Sequence, residues 1–393
     1  MYFYIGNVYD FMNRSSLIPN LHKKSLEEKL NIVSDFALLS KEDQECLEKQ
    51  IVLHENGTDS CDNESDKSIE NIISAYSLPI GLATHFKING CEYLIPMVLH
   101  TPSIVSIVSN AAKTAKVRGG FTAMVNGNTC RGQIQLLEVP FSFSEICHKI
   151  EQHKEKLMDT ANMVHQTLRK MQKGVKDIVC REIDTRGAKM ILVELMIEVG
   201  DTIGTQVVNS MCEKISPMIE SLTNSRVGIH MMSDFTTERT VTAFVVFDKS
   251  IIGGERIVED MVSVYELADK DVYRAVTQNK DVMNGIISVA SATGQDVCAI
   301  EAAAHAYASR GGSYSSLTTW TKNENGHLVG MLDIPMSVGI VNEDTANIHP
   351  IARICTQILK VDDADQFACI LAAVGLAHSF AILKALVTEK GVK

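Results

Sequence analysis

Proline, positive charge and paired cysteines are all scarce in this sequence, and each scarcity excludes a class of protein. Only 8 prolines occur among 393 residues, which argues against a long disordered or proline-rich linker. The 37 Lys and Arg residues are outnumbered by 48 Asp and Glu, giving a formal net charge of -11. Because nucleic acids are bound through clustered cations, we do not expect a nucleic-acid partner.

The ten cysteines occur singly, without a CxxC pair, so neither a zinc ribbon nor a thioredoxin-like motif is predicted, and no metal cofactor is expected. Isolated thiols are typical of a reducing cytoplasm. The N-terminal segment carries Asp10 and lacks a basic start, which is not typical of a signal peptide. No uninterrupted run of eighteen apolar residues occurs, so we expect a cytoplasmic protein that does not span a membrane.

What the sequence does contain is a patterned chain, long enough for two or three domains. Apolar residues at helical spacing predict a helix over 24–50, with Ser25 and Glu28 forming a capping box at its start. Asn89-Gly90 between two apolar runs predicts a β-hairpin. A further helix is predicted over 103–116, and the polar stretch 55–67 is expected to be an exposed loop.

The middle of the chain alternates between strand-like and helix-like patterns. The predicted elements are a strand at 133–139, a long charged helix at 144–173, a strand at 190–198, a helix at 207–222, and strands at 226–232 and 241–247. This order is typical of a compact, ferredoxin-like α+β sandwich. We therefore predict an α+β protein in which a small domain over 128–232 interrupts a large mixed α/β domain made of 1–127 and 233–393.

One segment resembles a known family closely. Residues 278–310, QNKDVMNGIISVASATGQDVCAIEAAAHAYASR, resemble the central catalytic stretch of 3-hydroxy-3-methylglutaryl-CoA (HMG-CoA) reductases. That stretch has a reactive lysine before Met-Asn-Gly, then Thr-Gly-x-Asp and Glu-Ala-x-Ala-His-Ala-Tyr-Ala. Other stretches follow in the family's order: LPIGLATHFKINGCEYLIPM at 78–97, PSIV at 102–105, RGGFT at 118–122, GDTIGTQVVNSMCE at 200–213, SLTTW at 316–320 and GLAHSFAILKALVTE at 375–389. The resemblance extends over about residues 18–393 and is to the soluble, bacterial or archaeal class II type.

This resemblance implies the reduction of a thioester to an alcohol by two hydrides from NADH or NADPH. It implies HMG-CoA, mevalonate and CoA as ligands of the large substrate-binding domain, and a homodimer or higher even oligomer with active sites at the subunit interface. Lys280 is assigned to stabilising the oxyanion, and Asp296 to holding that lysine. A helix N-cap is an alternative role for Asp296. Asn284, one helical turn from Lys280, is expected to hydrogen-bond the lysine or the substrate.

Two further residues match substrate contacts of the family. Arg274 matches the arginine that binds the substrate carboxylate, a task suited to a planar, two-pronged donor. Ser103 matches a serine that contacts the substrate, although a helix cap is an equal alternative.

The sequence GDTIGTQ at 200–206 matches the family's cofactor-binding turn and is not a GxGxxG fingerprint, so a Rossmann domain is not predicted. The implied cofactor residues are Asp201, Thr202, Gly204, Gln206 and His165. Gly204 would let the backbone approach the pyrophosphate at a helix N-terminus. His165 replaces the acid with which NAD-preferring relatives hold the ribose, and this replacement favours NADPH.

Two catalytic positions of the family are not matched. Thr101 stands where the family has a glutamate that donates a proton, and a hydroxyl is not a comparable acid near neutral pH. The family's C-terminal flap carries a histidine that protonates the departing thiolate, and this sequence ends at Lys393 before that position. His378 also stands where a glutamine is usual. An HMG-CoA reductase is therefore one hypothesis, and a catalytically impaired relative that binds CoA thioesters or pairs with an active paralogue is another. A structural scaffold without affinity for CoA is a third.

Overall fold

A computed structural model describes residues 18–56, 71–187, 189–200, 205–340 and 350–388. The chain separates into two compact units, one within Met1–Pro79 and Glu343–Pro350 and the other within Ile80–Asn342 and Ile351–Lys393. Both helices and sheets are present, so the predicted α+β class is confirmed. Most of the predicted loop at 55–67 lies outside the described residues.

Helix α1 (Leu26–Ala37) in the first unit begins with the predicted capping box. The Ser25 hydroxyl accepts a hydrogen bond from the Glu28 backbone N–H at 3.2 Å, and the Glu28 carboxylate accepts one from the Ser25 N–H at 2.7 Å. These two bonds satisfy N–H groups that have no partner within the helix.

The prediction of one continuous helix over 24–50 is wrong, because a second helix, α2 (Lys41–Asn56), is separate. Leu38 adopts a left-handed conformation with φ 54° and ends α1. Ser40 then accepts a hydrogen bond from the Asp43 N–H at 3.1 Å, which provides a new helix start. Apolar spacing alone did not reveal this break.

The second unit contains a six-stranded sheet in the order β2-β1-β3-β8-β10-β9. Its strands are β1 (Ile80–Ile88), β2 (Cys91–Val98), β3 (Phe121–Asn126), β8 (Thr240–Phe247), β9 (Thr318–Lys322) and β10 (Leu328–Pro335). The predicted hairpin between β1 and β2 is confirmed, with Asn89 at φ 50° and Gly90 at φ 85°. A tight hairpin turn of this kind needs a positive φ at both central residues, and Asn-Gly adopts this conformation with little strain.

The helices of the same part of the fold are α3 (Ile104–Lys116), α8 (Lys249–Ile252), α9 (Glu255–Lys270), α10 (Val272–Ala292), α11 (Val297–Ala308), α12 (Pro350–Leu359) and α13 (Ala364–Thr388). Helix α13 is long and apolar enough to cross a membrane, with a mean hydropathy of 2.0 over its most apolar window, although no membrane span was predicted. That window is 72% buried inside the protein. Its apolar composition is therefore accounted for by packing in the core, where Phe380 stacks on Phe247.

A second, four-stranded sheet has the order β5-β6-β4-β7, and all of its strand pairs are antiparallel. Its strands are β4 (Thr129–Leu137), β5 (Gly174–Asp184), β6 (Lys189–Glu198) and β7 (Arg226–Ser233). The helices of this layer are α4 (Phe143–Gln152), α5 (Lys154–Asn162), α6 (Gln166–Lys170) and α7 (Thr205–Thr223). The β-α-β-β-α-β order with β4 and β6 in the centre is the ferredoxin-like arrangement that the sequence predicted. This layer has a hydrophobic core cluster of its own.

One prediction in this layer is wrong, and one strand was missed. The long helix predicted over 144–173 is three helices, because the backbone leaves helical geometry at His153 with φ -112° and ψ 8° and again at His165 with φ -127° and ψ 97°. Strand β5 was not predicted. A register shift between Val175 and Asp177 interrupts the alternation of apolar and polar residues by which a strand is recognised.

Candidate active site

Helix α10 positions three of the predicted site residues. It begins at Asp271, whose carboxylate accepts a hydrogen bond from the Arg274 backbone N–H at 2.8 Å. Lys280 is exposed, whereas Arg274 and Asn284 are half-buried. Lys280 and Asn284 are separated by one helical turn, so their side chains lie on neighbouring parts of the same helix surface. Neither side chain has a hydrogen bond or ion pair among the described residues.

Arg274 carries an unsatisfied donor. Its Nη2 atom is buried and has no hydrogen-bond partner in the described part of the chain. A buried donor without a partner costs about 1–3 kcal/mol, and more when it is charged. A ligand carboxylate is the natural partner for a guanidinium group, because it accepts two parallel hydrogen bonds.

Asp296 is the N-cap of α11, and its carboxylate accepts a hydrogen bond from the Ala299 N–H at 3.0 Å. The capping role that the sequence left as an alternative is therefore confirmed. The residue is exposed, and within a single chain no ion pair joins Asp296 to Lys280 among the described residues. The capping bond uses one carboxylate oxygen and leaves the other for a ligand.

Thr101 and Ser103 lie between β2 and α3, and both are exposed. The Thr101 carbonyl accepts a hydrogen bond from the Ile104 N–H at 3.4 Å. Ser103 occupies the N-cap position of α3, but its hydroxyl makes no capping hydrogen bond. Because the helix does not use this hydroxyl, the cap alternative for Ser103 is not supported and the group remains open to a ligand.

The helices α10 and α13 cross closely. A Cβ atom on Gly285 would lie 3.0 Å from the Val374 carbonyl oxygen and 3.2 Å from the Cβ of His378. His378 is 4% exposed, and its Nδ1 atom has no partner among the described residues. Burial lowers the pKa of the imidazole from its usual value, and the backbone of Asp281 acts to raise it. The turn of α10 that follows Lys280 is therefore fixed against α13.

Asp281 is a residue that the sequence analysis missed. It is half-buried, and burial raises the pKa of its carboxyl group, while the charges of Arg274 and Lys280 act to lower it. The only signal for it in the sequence is its position directly after the motif lysine. Burial, which distinguishes it from a surface carboxylate, is not visible in a sequence.

The cofactor residues are described only in part. Asp201, Thr202 and Gly204 lie outside the described residues, and Gln206 is exposed in the first turn of α7. His165 is the N-cap of α6, where its Nδ1 accepts a hydrogen bond from the Leu168 N–H at 3.3 Å. The ring therefore has a structural role, and its other nitrogen is available to a ligand.

A cation lies beside Gly200, the last described residue before Asp201. Gly200 has φ 72°, and a Cβ atom placed there would lie 3.0 Å from the Lys173 Nζ. Helix α7 begins at Thr205, and a helix N-terminus attracts anions. Gly200, the Lys173 ammonium group and the N-terminus of α7 together suit a ligand that carries phosphate. Among the described residues, no cluster of His, Cys, Asp and Glu suits a metal ion.

Comparisons with known proteins agree with this geometry. The model of the hydroxymethylglutaryl-coenzyme A reductase family matches residues 25–393. The chain is 41% identical over 375 residues to 3-hydroxy-3-methylglutaryl-coenzyme A reductase of Archaeoglobus fulgidus, covering 95% of this chain and 84% of the relative. It is 29% identical over 328 residues to a probable 3-hydroxy-3-methylglutaryl-coenzyme A reductase of Borreliella burgdorferi. This match covers 81% of this chain and 73% of the relative.

Solved structures are similar as well. A 3-hydroxy-3-methylglutaryl-coenzyme A reductase from Streptococcus pneumoniae superposes with a TM-score of 0.79 and 31% identity, covering 95% of this chain and 88% of that chain. A second structure from that organism is described as the class II enzyme bound to NADPH in open conformations. It superposes with a TM-score of 0.78 and 32% identity. The match covers 94% of this chain and 99% of that chain.

Proposed function

Because this chain belongs to the hydroxymethylglutaryl-coenzyme A reductase family, we propose that it reduces HMG-CoA to mevalonate with a nicotinamide cofactor. The observation that carries this proposal is the buried Nη2 of Arg274, which has no partner among the described residues and lies six residues before the exposed Lys280 on one helix. The first group suits a carboxylate and the second suits a developing oxyanion, and HMG-CoA has both features in one molecule. The 41% identity to an archaeal reductase favours catalysis over an impaired relative.

The binding step follows from the arginine. Arg274 holds the terminal carboxylate of the substrate through paired hydrogen bonds, which satisfy its buried nitrogen. The Ser103 hydroxyl, which the helix leaves unused, donates a further hydrogen bond to the substrate. These contacts fix the acyl chain so that its thioester carbonyl lies beside Lys280, and such positioning removes a large part of the entropic barrier.

The chemical step follows from the lysine. Two molecules of reduced nicotinamide cofactor, bound one after the other, would supply one hydride each. Lys280 places its ammonium group at the carbonyl oxygen, where negative charge develops in each reduction, and this stabilises the transition state more than the ground state. Asn284 holds the lysine or the substrate from one turn away, and Asp296 favours the charged amine in the assembled site. Thr101 does not replace the family's glutamate as an acid.

The cofactor is assigned to the small domain. We propose that residues 128–232 form this domain and that 1–127 and 233–393 form the substrate domain. The separate core of the four-stranded layer supports this division. Asp201, Thr202, Gly204 and Gln206 hold the pyrophosphate end. NADPH is preferred to NADH, because His165 offers no carboxylate to the ribose and Lys173 adds positive charge nearby.

Completion of the site requires a second chain. Lys280 and Asp296 are exposed and have no ion pair among the described residues of one chain, and an apolar stripe at the start of α10 is exposed. That stripe comprises Val272, Tyr273 and Val276, with Tyr273 87% exposed. A large apolar surface beside reactive groups is typical of a subunit contact, so we propose a homodimer or higher even oligomer. The unpaired cysteines are compatible with a cytoplasmic location.

The proposal is tested by following nicotinamide absorbance with HMG-CoA and each cofactor. Oxidation is expected with the unaltered protein and is expected to fall by about 100-fold or more in Lys280→Ala, because a main source of oxyanion stabilisation is lost. Lys113→Ala, which removes an exposed lysine of α3, is the matched control and is expected to retain full activity. A rate unaffected by Lys280→Ala would remove the mechanism. Binding of HMG-CoA without oxidation of either cofactor would support the impaired relative instead.

A further inference from the structure

The segment between α11 and β9 has little packing of its own at its start. Residues 309–313 are exposed, and a Cβ atom on either Gly311 or Gly312 would meet nothing within 4 Å. Contacts made further along must therefore fix where this segment lies. Its position matters for the proposed site, because its last residues hold the side chain of Asn279, the residue before Lys280.

His305 provides one of these contacts from α11. Its Nδ1 lies 2.7 Å from the Tyr314 hydroxyl oxygen, and the two rings stack with their centroids 5.9 Å apart. A hydroxyl group can donate or accept, so this hydrogen bond forms whether the histidine ring is neutral or protonated. The other ring nitrogen, Nε2, lies 3.7 Å from the Glu301 carboxylate. Tyr314 is thereby attached to α11 through the Nδ1 atom.

The residue after Tyr314 connects this attachment to α10. Ser315 donates its backbone N–H to the Ala308 carbonyl oxygen at 2.9 Å, and its own carbonyl oxygen accepts a hydrogen bond from Asn279 Nδ2 at 2.9 Å. Burial raises the pKa of the Tyr314 hydroxyl, and Asn279 acts to lower it, so the phenol lies near that amide as well. A histidine on α11 and an amide on α10 therefore hold adjacent residues of one segment.

The relative placement of Lys280 and Asp296 depends on such a link. Lys280 follows Asn279 on α10, whereas Asp296 is the N-cap of α11. No ion pair joins the two side chains among the described residues of one chain, so direct contact does not set their separation. It is set instead by what holds α10 and α11 together, and the segment 314–317 is bonded to both helices.

We propose that His305 is a positioning residue of the reduction. Acting through Tyr314 and Asn279, it sets where the Lys280 ammonium group lies relative to the thioester carbonyl. This role presupposes the proposed function, because the group that His305 positions is the lysine of that reduction. A misplacement of about 1 Å in a reacting group can cost about 100-fold in rate. Loss of one hydrogen bond in this chain of contacts is therefore expected to lower turnover.

The first test compares His305→Phe with Tyr314→Phe, because each removes one partner of the hydrogen bond and keeps an aromatic ring. Both variants are expected to lower kcat by about 10-fold, through a small displacement of the lysine. KM for HMG-CoA is expected to stay within about 2-fold, because Arg274 still holds the carboxylate. The double variant is expected to turn over no more slowly than either single variant, since the two residues act through one bond.

Two further variants separate positioning from a general loss of structure. His305→Asn keeps an amide atom near the place of Nδ1 and is expected to retain most of the turnover. His148→Phe is the matched control, because the exposed His148 ring lies 2.9 Å from the Gln152 amide nitrogen on α4. It is expected to leave kcat unchanged. An equal loss of kcat in His305→Asn and His305→Phe, or the same loss in His148→Phe, would overturn the role of Nδ1.

The second test measures hydrogen exchange of backbone amides without substrate or cofactor. In His305→Phe, the turn of α10 around Lys280 is expected to exchange about 10-fold faster, a factor that corresponds to roughly one hydrogen bond. His148→Phe is expected to leave the exchange of this turn unchanged. If faster exchange in His305→Phe is confined to residues 309–317, His305 anchors only that segment and the positioning role is wrong.

Failure of the positioning role is distinguishable from failure of the proposed function. If the unaltered protein does not oxidise a nicotinamide cofactor with HMG-CoA, the proposed function is wrong and the role of His305 in it is lost as well. If the unaltered protein is active and Lys280→Ala is not, but His305→Phe and Tyr314→Phe keep the kcat of the unaltered protein, only the role of His305 is wrong.

Discussion

The side-chain amide of Asn279 binds the backbone on both sides of Ser316. Its Nδ2 donates to the Ser315 carbonyl oxygen at 2.9 Å, and its Oδ1 accepts from the Leu317 N–H at 2.8 Å. Asn279 is fully buried and directly precedes Lys280. The segment before β9 is thereby attached to α10 next to the reactive lysine, and this attachment sets where the lysine side chain begins.

Replacement of Asn279 by alanine is expected to destabilise the protein by about 2–4 kcal/mol, because a buried C=O and a buried N–H both lose their partners. Turnover is also expected to fall, since the turn that carries Lys280 is no longer held. Urea unfolding measures the first effect. Asn110→Ala, at an exposed position of α3, is the control and is expected to change stability by less than about 0.5 kcal/mol. Equal stability of both variants would contradict this role of Asn279.

Gly330 lies opposite Trp320 in the β9–β10 pair. A Cβ atom on Gly330 would approach the Trp320 ring to 2.3 Å, and that ring is fully buried against Phe247 and Phe380. Because the ring has no space into which to move, Gly330→Ala is expected to cost about 1–3 kcal/mol of stability.

Thermal unfolding is the measurement for Gly330→Ala. The control is Gly311→Ala, because a Cβ atom at Gly311 meets nothing within 4 Å. A melting temperature of Gly330→Ala as high as that of the control would show that the sheet edge accommodates the added methyl group.

Arg274 is expected to act mainly in binding. Arg274→Lys keeps the charge but loses the two-pronged donor, so KM for HMG-CoA is expected to rise about 10-fold with little change in kcat. Arg274→Met, which removes the charge as well, is expected to raise KM by about 100-fold or more. Steady-state kinetics check both values. Arg256→Lys, at an exposed position of α9, is the control, and a rise in its KM equal to that of Arg274→Lys would contradict the assignment.

Glu194 is a buried carboxylate held by three donors on the four-stranded sheet. It accepts hydrogen bonds from Arg181 Nη2 at 2.7 Å, Gln133 Nε2 at 2.7 Å and Arg131 Nη1 at 2.8 Å. Burial acts to raise the pKa of Glu194, but the hydrogen bonds from Arg181 and Gln133 and the two arginine charges together bring it below its usual value. Folding therefore favours the ionised form.

A lowered pKa in the folded state contributes stability above the unfolded value of about 4.3, and this contribution is lost as pH falls through the folded pKa. Glu194→Gln is expected to cost about 2 kcal/mol at pH 7, less than a fully buried pair because both arginines are partly exposed. The difference from the unaltered protein is expected to shrink below about pH 4. Urea unfolding of both proteins at pH 7 and below about pH 4 measures this difference in stability. A difference that does not change with pH would contradict the pairing of an ionised Glu194 with the two arginines.

Local signals in the sequence predicted much of the fold. The capping box at Ser25 and the turn at Asn89-Gly90 depend on chemistry within a few residues, and both are present. Breaks without such a signal were missed, as at Leu38, where an apolar residue takes a left-handed conformation. Strand β5 was missed because its irregular register hides the alternation.

In the candidate site, too, the features set by local sequence were predicted, and those set by distant residues were not. The motif around Lys280 and Arg274 was recognisable from residue types and order alone. The buried Arg274 Nη2 without a partner among the described residues and the half-burial of Asp281 depend on how α10 packs in the folded chain. No spacing rule within α10 contains that information, so Asp281 appeared only in the three-dimensional structure.

The most direct test of the proposed reduction is its stoichiometry. We expect two molecules of nicotinamide cofactor to be oxidised for each CoA thiol released from HMG-CoA, and both counts to fall together in Lys280→Ala. Release of thiol without any oxidation of cofactor would show a hydrolase instead, and would contradict the assignment of Lys280 to a two-step reduction.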